Sequence, residues 1–256
     1  MTFKSTRTSV LLIISLIALL HVFFGSSLVW LVLPAVVFLL LIAYGSITIQ
    51  ANFFTPALCC ADIVDKYIAL SFDDGPNQQY TPEVLSTLAQ YNAPATFFVI
   101  GKNILGNESI LQQIDVAGHS IGNHSYSHSF FIDFKSVQGF KHELQQTEDS
   151  VFNVIGKRMT LFRPPYGVTT PHLAQAAKAL NYTIVGWNIR SFDTTTKSAQ
   201  AIAQRVQSQI KPGAIILFHD TSVKTIQALK QTLDFAKHNG YKVISIEQLL
   251  KINVYG

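Results

Sequence analysis

Charge is what this sequence has least of. Asp, Glu, Lys and Arg make up 13% of its 256 residues, about half the share usual in a soluble domain. The shortage is local: no such residue stands between Val10 and Tyr44, and Lys4 and Arg7 are the only ones before residue 58. The rest of the chain is nearly balanced, so a pI near 9.0 reflects no basic surface. Without a basic run or an arginine stripe, a nucleic-acid partner has little support. Cysteine is also scarce. Cys59 and Cys60 are the only two, and neighbours form a disulfide only under strain. They lack zinc-knuckle spacing as well. They read as small apolar residues, with reversible lipidation as the alternative. Internal repeats and low-complexity segments are absent.

The uncharged stretch is too long for one span. From Ser9 to Tyr44 a single helix would run about 50 Å at ~1.5 Å per residue, against a hydrocarbon core of about 30 Å. Gly25-Ser26-Ser27 interrupts it, so two short transmembrane helices joined there fit better. A signal peptide, with its basic flank, apolar core and small residues, is the runner-up, but it leaves Leu28 to Tyr44 unexplained. Residues 1–48 are therefore expected to be a membrane anchor and 49–65 a linker. Lys4 and Arg7 favour a cytoplasmic N-terminus. Two spans return the chain to that side and one span does not, which leaves the face of the membrane open.

From Lys66 onward, apolar runs alternate with amphipathic segments, the pattern of a mainly parallel α/β domain. Strands are expected at Tyr67–Phe72, Ala95–Ile100, Ser120–Gly122, Thr183–Trp187, Ala214–Phe218 and Lys242–Ser245. Thr81-Pro82-Glu83 and Thr170-Pro171 each read as a helix N-cap followed by a first-turn proline. Leu144, Val151 and Ile155 mark the buried face of a helix over Lys141–Ile155. Ser245 to Gln248 is a capping box, and Gly240 ends a helix closing on Lys237-His238.

Four stretches carry chemistry. Ser71-Phe72-Asp73-Asp74-Gly75-Pro76 puts two carboxylates where a strand becomes a turn, and adjacent carboxylates call for a cation or a proton. Read alone it is equally a surface turn. His124 and His128 are four apart, a spacing that brings two imidazoles together on one helical turn. Two histidines with one carboxylate, from Asp73 or Asp74, would hold a divalent ion and leave a place for water. The other carboxylate could then take a proton. Arg163-Pro164-Pro165-Tyr166 is a stiff loop whose arginine can grip a carboxylate in two-pronged fashion. Leu217-Phe218-His219 ends an apolar strand in a histidine.

In this order and at these distances the four stretches resemble the motif series of the polysaccharide deacetylases, carbohydrate esterase family 4 or the NodB-homology domain. Ala95-Thr96-Phe97-Phe98-Val99-Ile100-Gly101 and Gly118-His119 are similar to its second strand and its approach to the histidines. The likeness covers about Lys66 to Leu250. It implies a distorted (β/α) barrel over residues 66–256, preceded by the N-terminal transmembrane hairpin, and metal-dependent hydrolysis of N-acetyl groups on an amino sugar. By that resemblance Asp73 is the general base, and Asp74, His124 and His128 hold a metal, zinc first and cobalt or nickel otherwise. Arg163 orients Asp73, Tyr166 offers its backbone N–H to the oxyanion and His219 is the general acid. Leu217 lines the acetyl pocket. One motif departs: Arg190 and Thr194 stand where the family has Asp and Trp. Asp193 remains and could orient His219; Trp187 could stack on sugar or be a buried strand residue. The departure puts chitin-like polymers in doubt.

The expected protein is a hydrolase at a bacterial inner membrane. Its partners would be membrane lipid and an N-acylated envelope glycan or a lipid-linked sugar precursor. Its rival is the same fold without catalysis, a module that grips a glycan or an envelope partner. A third reading is hydrolysis of a non-sugar amide at the same site.

Overall fold

A computed structural model describes residues 2–256. Helix α1, Phe3–Phe24, opens with a capping box between Thr2 and Ser5 and stops at Gly25, which takes a left-handed φ of 66°. A short 3-10 turn leads into α2, Val32–Ile47. The two pack side by side, are exposed over most of their length, and are long and apolar enough to cross a membrane. Both chain ends of the hairpin meet the rest of the protein. Phe3 N–H donates to Phe53 O at 2.8 Å, and Thr169 N–H to Ser46 O at 2.9 Å.

Beyond residue 66 strands and helices alternate: β1 Tyr67–Asp73, α3 Tyr80–Gln90, β2 Ala95–Val99, α4 Glu108–Val116, β3 Ser120–Asn123, α5 Val137–Ile155, β4 Leu161–Phe162 and α6 Pro171–Ala179. Then come β5 Thr183–Ile184, β6 Ile189–Arg190, α7 Ala199–Gln207, β7 Ala214–His219, α8 Val223–His238, β8 Lys242–Val243 and α9 Ile246–Leu250. The strands form one curled parallel sheet in the order β5-β4-β3-β2-β1-β7-β6. β7 fills one edge of β1 from Ile68 to Asp73. The other edge is shared, with β8 at Tyr67 and Ile68 and β2 from Leu70 onward.

The barrel is open between β5 and the start of β7, and residues 58–61 occupy that gap. Leu58 N–H donates to Ile184 O and Leu58 O accepts from Gly186 N–H, both at 2.9 Å, while Ala61 N–H reaches Gly213 O at 2.9 Å. The 49–65 segment is thus packed on the domain, with Ile49, Phe53, Ala57 and Cys59 buried.

Alternation along the strands decides what faces the barrel interior. On β1, Ile68, Leu70 and Phe72 turn out toward the helices, and the rings of Phe97 and Phe218 stack on either side of Phe72. Ala69, Ser71 and Asp73 turn inward. On β7, Ile215, Leu217 and His219 do the same. Ile246 and Leu249 of α9 join the inner apolar cluster with Ala69 and Ile215, so the barrel is filled behind its polar rim.

Several elements differ from expectation. The strand foreseen over Thr183–Trp187 stops at Ile184, and β6 resumes separately beside β7. The strand foreseen to Ser245 ends at Val243 because Ser245 caps α9. Thr81 is no N-cap. Helix α3 has Gln79 at its N-cap position and Asn77 Oδ1 accepting from the N–H groups of Gln79 and Tyr80, and the Thr81 hydroxyl instead donates to Asp220 and accepts from Asn77 N–H. Thr170-Pro171, the Ser245 capping box and Gly240 lie as foreseen.

Candidate active site

The C-terminal ends of β1, β3, β4 and β7 converge on a cavity of about 230 Å³. Asp73, Asp74, His124, His128, Tyr166, Gly167, Trp187, Arg190, Thr194, Leu217 and His219 all line it. Every residue singled out from the sequence therefore reaches one place, except Arg163 and Asp193, which stand directly behind it.

Asp73 is the last residue of β1. Its Oδ1 accepts from Arg163 Nη1 at 2.8 Å, and its Oδ2 lies 3.8 Å from His124 Nε2. Arg163 is wholly buried. It is held by Ser71 Oγ at 2.8 Å, Val185 O at 3.0 Å and Gly186 O at 2.8 Å, and it stacks 4.0 Å over the Phe98 ring. The grip on Asp73 is single, not the two-pronged one foreseen, because the other donors end on Ser71 Oγ and two backbone carbonyls. One carboxylate oxygen is fixed and the other is left facing the cavity.

Asp74 begins the loop with a left-handed φ of 76°, which swings its carboxylate toward the histidines. Asn103 Nδ2 donates to its carbonyl at 2.9 Å. Asp74 Oδ1 is 3.5 Å from His124 Nε2 and 3.4 Å from His128 Nε2. The two histidines do not share a helical turn. They sit on a loop in which Ser125 and His128 take positive φ, and their ring centroids are 4.9 Å apart. Asn123 and Glu143 shape that loop. Asn123 Oδ1 accepts from Ser125 N–H at 2.9 Å, and Glu143 accepts from the N–H groups of Tyr126 and Ser127 at 3.0 and 2.7 Å. Neither was foreseen. Glu143 had one visible sign, a carboxylate beside Leu144 on the buried face of α5.

These three groups fit a divalent cation. His124 Nδ1–H donates to Arg163 O at 2.7 Å, which fixes the tautomer and leaves Nε2 with a lone pair aimed at a carboxylate. Asp74 Oδ1 is buried without a hydrogen-bond donor among the described residues. A lone pair facing an anion is unfavourable unless a positive charge lies between them. The separations match as well: bonds of ~2.1 Å set tetrahedrally leave ligand atoms ~3.4 Å apart. The three ligand atoms lie within 4.8 Å of one another.

On the far side of Asp73 stands His219. Its Nδ1–H donates to Asp193 Oδ1 and its N–H to Asp193 Oδ2, both at 2.8 Å, and the Thr225 hydroxyl also donates to Asp193. Burial pulls the His219 imidazole down, but Asp193 first, then Asp73 and Asp74, outweigh it and push its pKa up to about 9. Burial and the neighbouring His124 push His128 down, which suits a neutral ligand.

Tyr166 has a left-handed φ of 59°, and its own N–H has no protein acceptor among the described residues. Its ring lies 4.6 Å from that of His128. Trp187 is 7% exposed and packs against Gly167, so it forms wall more than platform. Arg190 stacks 5.7 Å from Trp187 and 5.0 Å from Phe192. A larger cleft of about 540 Å³ between Tyr91 and Tyr241 lies at the opposite end of the strands and gathers none of these groups.

The polysaccharide deacetylase family model matches residues 62–185. A peptidoglycan-N-acetylglucosamine deacetylase of Bacillus cereus is 33% identical over 192 residues, covering 73% of this chain and 89% of the relative. The peptidoglycan-N-acetylglucosamine deacetylase PgdA of Listeria monocytogenes is 34% identical over 185 residues, 72% of this chain but 39% of the relative. The chain thus spans about two fifths of that protein. Among solved structures, the Bc1960 peptidoglycan N-acetylglucosamine deacetylase superposes with a TM-score of 0.74 at 29% identity, over 77% of this chain and 94% of that one. The Bacillus anthracis protein BA3943, a pseudoenzyme of the same family, gives 0.71 at 28%, over 76% and 69%. Sequence, fold and the arrangement of the pocket agree: the chain belongs to the polysaccharide deacetylase family, carbohydrate esterase family 4.

Proposed function

We propose that this protein hydrolyses the N-acetyl group of an amino sugar in a bacterial envelope glycan, with a divalent metal, zinc first among them, and from a membrane anchor. One observation carries the reading. The Asp74–His124–His128 cluster lies beside a carboxylate braced by Arg163, and an imidazole braced by Asp193 stands on that carboxylate's far side. Asp74, His124 and His128 would hold the cation, which would supply Lewis acidity and activate water at neutral pH. Asp73 Oδ2 is placed to take a proton from the attacking water while Arg163 keeps Oδ1 in place. The Tyr166 N–H donates to the oxyanion, which Pro165 cannot do for lack of a hydrogen. Leu217 packs against the acetyl methyl. His219, charged at neutral pH, gives its Nε2 proton to the departing amine. The hairpin supports a site near the bilayer, where lipid-linked sugars lie as well as the glycan nearest the membrane.

The test is full-length protein in detergent, loaded with zinc or cobalt and offered N-acetylglucosamine oligomers and peptidoglycan. Free amine from wild type, and none from Asp73→Asn with its metal retained, is the expected result. A His124→Ala protein that is metal-free and fully active would overturn the metal assignment. The inactive-module reading has one observation in its favour, the pseudoenzyme among the structural neighbours. It predicts neither bound metal nor amine.

A further inference from the structure

The segment after His128 leaves three phenylalanines in water. Phe130, Phe131 and Phe134 are 77%, 68% and 84% exposed, while Ile132 between them is fully buried. The backbone explains the split. Ile132–Phe134 is a 3-10 turn, and residues three apart eclipse in such a turn. Phe131 and Phe134 therefore project on one side as Ile132 enters the core. The one acid in the turn, Asp133, keeps Oδ1 buried. The rings form a cluster: Phe130 is 5.2 Å from Phe131, Phe131 is 6.4 Å from Phe134, and Phe130 is 6.5 Å from Tyr166 at the pocket rim.

Adjacent exposed aromatics mark an interaction surface. These rings are poor sugar platforms, because Phe130 and Phe131 meet at 86° and Phe131 and Phe134 at 49°, so they offer no common flat face. What lies beside them points to a different occupant. The Thr169 hydroxyl and N–H donate to Gly45 O and Ser46 O at the end of α2. Three residues on, His172 Nδ1–H donates to Lys135 O at 3.2 Å, next to Phe134. Three residues span at most ~11 Å, so the aromatic turn and the end of the apolar hairpin are neighbours on one side of the domain. At that same end Phe3 and Phe54 lie ring to ring at 5.1 Å. Aromatic residues at this level are what a bilayer interface selects.

We propose that Phe130, Phe131 and Phe134 are a second membrane contact, seated in the headgroup region of the bilayer that holds the hairpin. This rests on the reading of α1 and α2 as a membrane anchor. The contact fixes the pocket mouth, through Tyr166, against the lipid surface. The substrate class is then a glycan whose N-acylated unit lies close to the bilayer.

The experiment uses full-length protein in phosphatidylethanolamine–phosphatidylglycerol vesicles, with phospholipids brominated near the head of the acyl chain and aqueous iodide as quenchers. Trp30 lies in the turn between α1 and α2, and the difference between native and Trp30→Phe protein, which share Trp187, reports on the hairpin. In a Trp30→Phe background, Phe131→Trp and, separately, Phe134→Trp report on the aromatic turn. Val116→Trp, at the opposite end of the strands, is the control. The added indole at position 131 or 134 is expected to lose emission to brominated lipid and to be shielded from iodide, with the reverse at position 116. If Trp30 is quenched by brominated lipid while positions 131 and 134 stay open to iodide, the contact is overturned, the anchor stands and the turn faces substrate instead. If Trp30 is not quenched either, the anchor reading fails and the contact with it.

Discussion

Asp73 and His219 are register partners across β1 and β7. Two parallel strands hydrogen-bonded along their full length end together, with the proposed base and the proposed acid side by side on the inner face. Neither group is positioned by a loop, so their separation is as rigid as the sheet. The groups that complete the pocket, Asp74, His128 and Tyr166, all come from loops and all take positive φ. The site thus joins two proton-handling groups set by the sheet to ligands and an N–H donor set by strained turns.

Replacing Arg163 by lysine tests how far its role is charge. Lysine keeps the charge near Asp73 but cannot also reach Ser71, Val185 and Gly186. With buried carbonyls left unpaired, Arg163→Lys is expected to lose at least ~2 kcal/mol of stability. Arg163→Ala, which strands the Asp73 carboxylate, should cost ~3–5 kcal/mol. Chemical denaturation measures both. A lysine variant as stable as wild type would show that the carbonyl contacts contribute nothing.

Asp193 should govern the titration of His219. Because the folded pKa of about 9 lies above the unfolded value of ~6.5, His219 contributes stability that is complete below pH ~6.5 and is lost as pH rises through about 9. Asp193→Asn removes the carboxylate that holds the proton. In metal-free protein, imidazole NMR should show the His219 pKa falling by more than one unit. The variant's stability should then decline less between pH ~6.5 and 9, and its kcat should drop ~10²-fold. An unchanged imidazole titration would assign the raised pKa to Asp73 and Asp74 instead.

Much of this geometry was legible in the sequence, for a physical reason. The period of two along β1 and β7 places Asp73 with Ser71, and His219 with Leu217, on a shared face, and only the curled sheet shows that this face is the interior. The histidine pair was legible as a cluster but not as a conformation. A spacing of four fits a helical turn, and only the positive φ of Ser125 and His128 shows the loop. Strands β4 and β6 have two residues each, too short for any periodicity. Thr81 carried a correct helix-start signal that the buried Asp220 redirected. Burial pushes the Asp220 carboxyl up to about 7, and a hydroxyl donor for it outweighed a cap. The 58–61 segment was hidden because its bonds are backbone bonds.

Glu143 was missed for the same reason, since its carboxylate serves main-chain N–H groups. Those bonds hold the loop that carries His128 without touching a ligand atom. Glu143→Gln keeps the shape but replaces one acceptor oxygen by an amide donor. Metal affinity is expected to fall ~10–100-fold, read by chelator competition, with the fold intact by circular dichroism. Affinity equal to wild type would mean the loop is set by Asn123 and Ser125 alone.

Gly167 and Gly106 separate backbone strain from collision. Both adopt left-handed backbones, with φ of +72° and +83°, so alanine carries a similar conformational penalty at each. Their surroundings differ. A Cβ at Gly106 meets nothing within 4 Å, whereas one at Gly167 runs into the Trp187 ring. Trp187 is hemmed in by Arg163 and Arg190 and cannot retreat freely, so the loop must move. That loop carries the Tyr166 N–H. Gly167→Ala should therefore lower kcat ~10²-fold or more, the usual effect of a lost oxyanion donor, while the metal remains bound. Gly106→Ala should show only the stability loss. Equal kcat in the two variants would remove Tyr166 N–H from the catalytic step, because the displaced loop would then have cost nothing in the reaction.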